Sequence, residues 1–417
     1  MSDTLKRRVV VTGLGIVAPG GIGKDAFWNT IKEGKSMTTR ITTFDASSYP
    51  SQVAAEVKDF DPTDFMSPKS ARRSDRSTQF ALAAAQMAFE DSHLKIADNK
   101  TERIGVFDST SLGTLGWLLN QHIIFMEKGY DRVHPLSAVI GFPGSSASEI
   151  SQFFKLHGPS LTFCAGSTGG SVAIGFGFDA IKRGDLDVVI AGGTEAPIVP
   201  QIVAGFCKIN VLSRKNDQPD KASRPFDKYR DGFVLGEGAG ILILEELKHA
   251  LRRNARIYAE LLGFCANCDA SHITSPDPHG TYMAKAIQCA LENSDVNPEE
   301  IDYINAHGTS TILNDKVETL TIKIVFKEHA KTIPISSTKS MIGHLLGACG
   351  PAELIACAMA ISDGFIPPTI NYEHPDPECD LDYVPNKGRS HDIEVAISNN
   401  FSFGGKNCVL VLRRFKN

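Results

Sequence analysis

The sequence lacks a strong excess of charge of one sign and any long apolar run, and both absences exclude classes of protein. Among its 417 residues, 43 are Lys or Arg and 48 are Asp or Glu, which gives a formal net charge of -5. This balance gives no reason to expect nucleic acid or a membrane surface as a partner. Because no run of ~18 uninterrupted apolar residues occurs, no transmembrane helix is expected.

A secretory apolar core is also missing at the N-terminus, where only a few apolar residues precede Gly13. We therefore expect a cytoplasmic protein whose nine cysteines are reduced thiols. Cys265 and Cys268 have the spacing of a metal or redox pair, but no second cysteine pair stands at finger spacing. Most of the cysteines are interpreted as small core residues, and no metal site is expected.

Strand-like and helix-like segments alternate along the chain, which predicts an α/β fold with a mainly parallel sheet. Small-residue helices opening at Gly166 and Gly343 each precede a strand, and this echo predicts two related halves, 1–255 and 256–417, in one compact unit. Ser67 and Pro68 predict the start of a helix that runs to about Ser92. The polar connection 208–230 is predicted to be an extended surface loop.

Glycines at 13 and 15, with Ala18, match the dinucleotide fingerprint after a strand. The fingerprint requires a helix to begin there, and Pro19 followed by two glycines blocks one. A tight turn is the favoured interpretation, and no cofactor is expected.

Four cations lie near the start of the helix predicted after Ser67, where the helix macrodipole disfavours them. They are Lys69, Arg72, Arg73 and Arg76. They form either a solvated basic face or a docking surface for an acidic partner.

The strongest functional signal lies in three separated segments, 158–170, 305–318 and 337–348. The second contains His307 and the third His344, each predicted at a strand end or small-residue turn. The first places small residues at a helix start, where N–H groups and the dipole favour a nucleophile.

With these segments, further motifs make the chain resemble the β-ketoacyl-ACP synthases of the thiolase superfamily over essentially its whole length. The nearest branch resembles synthase II and the ketosynthases of bacterial polyketide pathways. The further motifs are Val11–Gly15, Arg224–Asp227, Arg230–Gly240, Ile366–Asn371, Cys379–Pro385 and Asn400–Gly405. The resemblance implies a layered α-β-α-β-α fold built from two βαβαβαββ halves, usually as a homodimer.

The resemblance also implies roles for individual residues, taken from the family's motifs. The residues matched to catalytic roles are His307, His344 and Lys339. The residues matched to supporting roles are Glu353, Asp315, Glu318 and Phe403, and Phe403 also matches an aromatic gate whose N–H serves the oxyanion hole. Thr309 and Thr311 match residues that hold the phosphopantetheine arm. The family binds acidic acyl carrier protein (ACP) through basic surface residues, which favours docking at the four cations. Substrates are then carried on phosphopantetheine, without a resident cofactor.

One position departs from the family pattern, and it is the nucleophile. In the family, a Gly-Pro-Ser motif is followed by six intervening residues and then the catalytic Cys, and counting from Gly158–Ser160 the Cys position holds Ser167. Cys164 lies three residues early and cannot substitute without a change of register. Gly169 also stands where the family often has Ser.

Serine in this position separates the two halves of the family's reaction. A helix start and a histidine can lower a thiol pKa from ~8.5 toward neutrality, whereas a hydroxyl starts several units higher and needs a dedicated base. Decarboxylation needs no nucleophile, because two imidazoles such as His307 and His344 can stabilise the enolate. The site is predicted to keep decarboxylation and to lose acyl transfer.

The first hypothesis is a malonyl-ACP decarboxylase, which resembles the free-standing ketosynthase of polyketide β-branching cassettes with its hydroxymethylglutaryl-CoA-synthase-like partner. The second is a condensing synthase, with Ser167 natural or engineered. The third is a non-catalytic partner like a chain-length factor, which has no need of two histidines. A hydrolase using Ser167 and His307 is disfavoured because Ala165 replaces the first glycine of the G-x-S-x-G elbow.

Overall fold

The computed structural model describes residues 7–96 and 100–416. The strands are β1 Val9–Ala18, β2 Gly21–Ile22, β3 Thr39–Arg40, β4 Val53–Ala55, β5 Ile104–Ser109, β6 Ser160–Phe163, β7 Val188–Glu195, β8 Leu235–Gly236, β9 Gly238–Glu246, β10 Ala259–Cys268, β11 Tyr303–Asn305, β12 Ile335–Ser336, β13 Phe365–Ile366, β14 Arg389–Ser390, β15 Val395–Ser402 and β16 Lys406–Arg413. The helices are α1 Lys24–Glu33, α2 Pro68–Ala71, α3 Arg76–Ser92, α4 Leu115–Lys128, α5 Ser137–Ile140, α6 Ser145–Phe154, α7 Gly169–Arg183, α8 Pro200–Lys208, α9 Leu247–Arg252, α10 Thr281–Ser294, α11 Ile312–Phe326, α12 Lys339–Ile342 and α13 Cys349–Asp363.

The main sheet repeats one pairing pattern twice. Its order is β12-β11-β15-β16-β10-β1-β9-β7-β5-β6, with β2 attached to β1. Outward from β1, two antiparallel pairings lead to β9 and β7, and two parallel pairings lead to β5 and β6. Outward from β10, the same sequence of pairings leads through β16 and β15 to β11 and β12. The two sets join where residues 9–11 pair with residues 259–261.

The expectation of a mainly parallel sheet is therefore wrong, because the sheet is mixed. One physical reason is visible between β15 and β16, which are connected by a short turn. Gly404 and Gly405 have positive φ values of 78° and 69° there. So short a connection can only join antiparallel neighbours.

Helices complete five layers around the two strand sets, which confirms the predicted fold class. α3 and α6 cover one outer face, and α10 covers the other and packs on α11. α7 and α13 lie between the strand sets, and α13 packs against both β9 and β15. The segment Leu346–Asp363 is long and apolar enough to span a membrane by composition, but 89% of it is buried inside the protein. It is a core helix of this fold.

Two local predictions need correction. The helix expected over 67–92 is divided into α2 and α3, because the Asp75 side chain accepts the N–H groups of Ser77 and Thr78 and so starts a new helix. The connection 208–230 is not confined to the surface, since Arg224, Asp227 and Arg230 are buried. Asp227 alone accepts three backbone N–H groups, which fold the loop inward.

Candidate active site

Ser167 lies at the start of the central helix α7. The chain leaves β6, turns at Gly166 with φ +62°, and forms the 3₁₀ turn Gly166–Thr168 before α7 begins. The Ser167 side chain is buried, and its Oγ lies 3.0 Å from Nε2 of His344. The structure thus places serine, not Cys164, against the histidines. Cys164 is exposed on the strand side of the turn.

The hydrogen bonds of His344 fix which ring nitrogen carries the proton. His344 lies on the loop between α12 and α13, and its Nδ1 accepts the Leu346 N–H at 3.2 Å. Burial raises the pKa of the Cys349 thiol, so the thiol, whose Sγ lies 2.9 Å from the same Nδ1, keeps a proton that it can donate to this nitrogen. Since Nδ1 is an acceptor, the ring proton is on Nε2. His344 therefore donates to the Ser167 hydroxyl and cannot take its proton.

His307 is held by its backbone and by its Nδ1. It follows β11, where the carboxylate of Glu318 accepts the N–H groups of His307 and Gly308 at 2.8 and 2.7 Å. Its Nδ1 lies 3.3 Å from Nζ of Lys339, a donor, so the His307 proton is also on Nε2. The two imidazole rings are 5.4 Å apart at an angle of 86°.

Burial and the charge of Lys339 keep both imidazoles neutral. Burial is the larger cause and Lys339 the next, and together they hold the pKa of His307 and of His344 well below the usual value. Two neutral N–H donors are therefore preserved across physiological pH, which suits stabilisation of a developing anion.

A buried ion pair stands behind His307. Lys339 and Glu353 are both about 1% exposed and bonded to each other. Burial is the largest single influence on the pKa of Lys339 and lowers it, but the charge and hydrogen bond of Glu353, together with the nearby Cys349 and Glu318, raise that pKa overall. Asn400 donates from Nδ2 to the second oxygen of Glu353. The pair keeps a cation at Nδ1 of His307 and so keeps that ring in one tautomer.

A cleft of about 330 Å³ opens onto Ser167 and both histidines. Thr309 and Thr311 line it, with their hydroxyl oxygens 2.8 Å apart. Phe403, 39% exposed, lines the cleft from the turn between β15 and β16. The roles assigned to these residues toward phosphopantetheine stay predictions.

Asp315 supports the site without reaching the cleft. It is one turn from Glu318 on α11, and its carboxylate accepts the Phe226 N–H at 2.8 Å and lies 3.6 Å from the Arg230 guanidinium. Burial raises the pKa of Asp315, and it raises that of Glu318 to about 7. Both acids anchor backbone around His307.

The four predicted docking cations divide into two kinds. Lys69, Arg72 and Arg73 are exposed on and after α2. Arg76 instead binds both oxygens of the buried Glu237, at 2.7 and 3.0 Å, and the carbonyl of Val57. Arg76 is thus occupied within the fold, and three cations remain for a partner.

Sequence reasoning gave no role to three residues that contact the site: Cys349, Asn400 and Ser402. Asn400 and Ser402 lie in the motif that ends β15, so their proximity was implied by the motif but not their contacts. Cys349 was counted among the core cysteines. Cys265 and Cys268 both lie on β10, and within residues 7–96 and 100–416 no group of three His, Cys, Asp or Glu side chains could hold a metal.

A doubled five-strand set with functional side chains at the starts of two central helices is the architecture of the thiolase-like condensing enzymes. Residues 6–250 match the beta-ketoacyl synthase N-terminal domain, and residues 258–373 match the beta-ketoacyl synthase C-terminal domain. The chain belongs to the β-ketoacyl synthase family.

The chain aligns over its full length with relatives named as fatty-acid and polyketide enzymes. The chain is 46% identical to 3-oxoacyl-[acyl-carrier-protein] synthase 2 of Synechocystis, with both chains fully covered. It is 44% identical to the tetracenomycin polyketide synthase ketoacyl synthase alpha subunit of Streptomyces glaucescens, covering 100% of this chain and 99% of that one. Among solved structures, a type II polyketide ketosynthase in complex with its acyl-carrier protein superposes with a TM-score of 0.92 at 36% identity, covering 99% of this chain and 100% of that one.

Proposed function

We propose that this ketosynthase-family enzyme converts malonyl-ACP to acetyl-ACP, with Ser167 in place of the nucleophilic cysteine. The observation that carries the proposal is the direction of one hydrogen bond. His344 donates to the Ser167 hydroxyl, because its other nitrogen is already an acceptor. Ser167 therefore has no base in His344, and an unassisted hydroxyl stays protonated and weakly nucleophilic.

Decarboxylation uses only groups that the site retains. The bond between the malonyl carboxylate and its α-carbon breaks, and the electron pair moves through the α-carbon onto the thioester oxygen as carbon dioxide leaves. The Nε2 protons of His307 and His344 stabilise that enolate oxygen. The α-carbon then takes a proton from water, which gives the acetyl thioester. Lys339 and Glu353 act indirectly, by holding His307 neutral and oriented.

The substrate reaches this site on a carrier protein. Thr309 and Thr311 are proposed to bind the phosphopantetheine arm along the cleft, with Phe403 as its gate. Lys69, Arg72 and Arg73 are proposed to dock an acidic ACP; the structural relative that binds an acyl-carrier protein supports a partner of this kind. No nucleic acid or membrane is proposed as a partner.

The proposed assembly is a homodimer that supplies acetyl-ACP to a hydroxymethylglutaryl-CoA-synthase-like enzyme in polyketide β-branching. The support for a dimer is β6, which ends the main sheet and exposes Ser160 and Leu161. An exposed sheet edge of this kind can pair with a second copy.

The test is carbon dioxide release from malonyl-ACP by the purified chain, with His307→Ala as its matched variant. Release by the natural chain and not by the variant supports the proposal. Equal release by both would refute it.

A condensing β-ketoacyl synthase is the second candidate, favoured by the full-length identity to 3-oxoacyl-[acyl-carrier-protein] synthase 2. It requires an acyl-enzyme at residue 167. An acyl adduct on Ser167 after incubation with acyl-ACP, found by peptide mass spectrometry, would favour it over decarboxylation. A chain-length-factor role predicts neither an adduct nor carbon dioxide.

A further inference from the structure

The backbone N–H of Ser167 is occupied by a side chain from the other half of the molecule. Ser402, 235 residues away, accepts this N–H at its Oγ, 2.9 Å from the nitrogen. Ser402 is the last residue of β15, so its position is set by the sheet. It also lines the cleft that contains Ser167 and both histidines.

The turn before Ser167 is shaped to admit this hydroxyl. A Cβ atom on Gly166 would lie 2.2 Å from Oγ of Ser402, well inside van der Waals contact. The space taken by the hydroxyl is thus the space that a side chain at 166 would fill. Gly166 also has φ +62°, so glycine both forms the turn and leaves room for Ser402.

The N–H in question is the donor that acyl transfer would need. The first N–H groups of a helix have no partner within the helix, and beside a nucleophile they bind the oxyanion of a tetrahedral intermediate. In acyl transfer, the residue 167 nucleophile forms a bond to the thioester carbon, and the carbonyl electron pair moves to oxygen. When that pair returns, the bond to the pantetheine sulfur breaks, and the sulfur leaves with the proton of the nucleophile.

We infer that Ser402 is a second and independent block to acyl transfer, because its hydroxyl takes the oxyanion donor at residue 167. Restoring the cysteine alone therefore does not restore acylation. The inference rests on the proposed function to the extent that acyl transfer is the half-reaction the chain has lost. It assigns the loss to two residues, one on each half of the fold.

The test compares three variants of the full chain. The first carries Ser167→Cys alone, the second combines Ser167→Cys with Ser402→Ala, and the third combines Ser167→Cys with Ser402→Thr. Alanine removes the hydroxyl, and threonine keeps it. Each is incubated with acetyl-ACP, and the rate of thioester formation on the chain is followed by intact mass. We expect the alanine double variant to acylate ~10²–10³-fold faster than the other two, because that is the effect on rate of one oxyanion donor.

Alkylation by iodoacetamide separates this effect from general reactivity. It needs the thiolate but forms no oxyanion, so its rate should be the same in all three variants. Equal acetylation rates in the three, or an alkylation rate that rises in parallel with acetylation, would overturn the inference. Carbon dioxide release is measured on the natural Ser167 chain, so failure of the proposed function is seen separately from failure of this inference.

Discussion

The two sides of the cleft differ in how their hydrogen bonds are arranged. On the histidine side, His307 and His344 each have an acceptor nitrogen that is already satisfied and a proton on Nε2. The His307 proton faces the cleft, and the His344 proton is donated to the neutral Ser167 hydroxyl, which a ligand oxygen can replace. On the serine side, the Ser167 hydroxyl has no base and its N–H is bonded to Ser402. The histidine side offers N–H donors that can stabilise an anion. The serine side lacks a base in His344 and a free N–H at residue 167, both of which would favour acyl transfer.

Under the proposed function, this difference separates the groups used by the two half-reactions of a condensing enzyme. Decarboxylation needs donors for an enolate, and acyl transfer needs a nucleophile and an oxyanion donor. A chain can therefore lose the second set while its buried ion pair and both imidazoles remain. Five changes test this contrast, from the largest expected effect to the smallest.

Removal of one imidazole should be the most damaging change. His307→Ala or His344→Ala should lower kcat for decarboxylation of malonyl-ACP by ~10²–10³, since each removes one donor to the enolate. His279→Ala, an exposed histidine, is the control and should match the natural chain. A loss of less than about tenfold in both active-site variants would contradict the account.

Lys339→Met should change both stability and pH dependence. It leaves the buried Glu353 unpaired, which costs ~3–5 kcal/mol in the free energy of unfolding. It also removes a charge that lowers the pKa of His307, so that pKa rises and the acid limb of the rate profile moves to higher pH. Denaturant titration and a pH–rate profile measure the two effects.

Lys339→Met combined with Glu353→Gln separates a positioning role from a structural one. The double variant should recover part of the stability, because no buried charge is left unpaired. Its acid limb should stay shifted. If the acid limb of the pH–rate profile returned to the pH of the unsubstituted chain when the stability recovered, Lys339 would have only a structural role.

Reversal of the exposed cations should have a moderate effect confined to carrier binding. Arg72→Glu with Arg73→Glu should raise KM for malonyl-ACP several-fold and leave kcat close to that of the natural chain, because the two residues act on encounter. Lys248→Glu with Arg252→Glu makes the same change in charge on exposed residues of α9. An equal rise in both pairs would show a general charge effect.

Removal of the Ser167 hydroxyl should have the smallest effect. Ser167→Ala frees the Nε2 proton of His344 from one neutral hydrogen bond, worth ~0.5–1.5 kcal/mol, so the rate of decarboxylation should change less than about tenfold. The measurement is kcat with malonyl-ACP. A loss as large as that of His307→Ala would mean that Ser167 takes part in the chemistry.

The sequence predicted which side chains meet in the cleft better than it predicted their surroundings. Motifs identified His307, His344 and Ser167, which meet in one cleft, because each lies at a strand end or beside a helix start, where the local pattern is informative. The mixed sheet was missed, since alternation of elements does not specify strand direction. The ion pair between Arg76 and Glu237 was missed because the two residues are 161 positions apart in the chain.

The same limit explains the contacts made by Ser402 and Cys349. The Ser402 hydroxyl reaches Ser167 across the junction of the two halves, and neither residue carries a local signal of the other. The tautomer of His344 depends on the Leu346 N–H and on the Cys349 thiol, which require coordinates. Residue identity was predictable, whereas the direction of proton donation was not.

The most direct test of the central claim is the intact mass of both partners in one sample, after malonyl-ACP is incubated with the natural chain. The account predicts that the carrier loses one carbon dioxide to become acetyl-ACP while the mass of the chain is unchanged. A malonyl-ACP that stays intact, or a chain that gains an acyl group at Ser167, would contradict it.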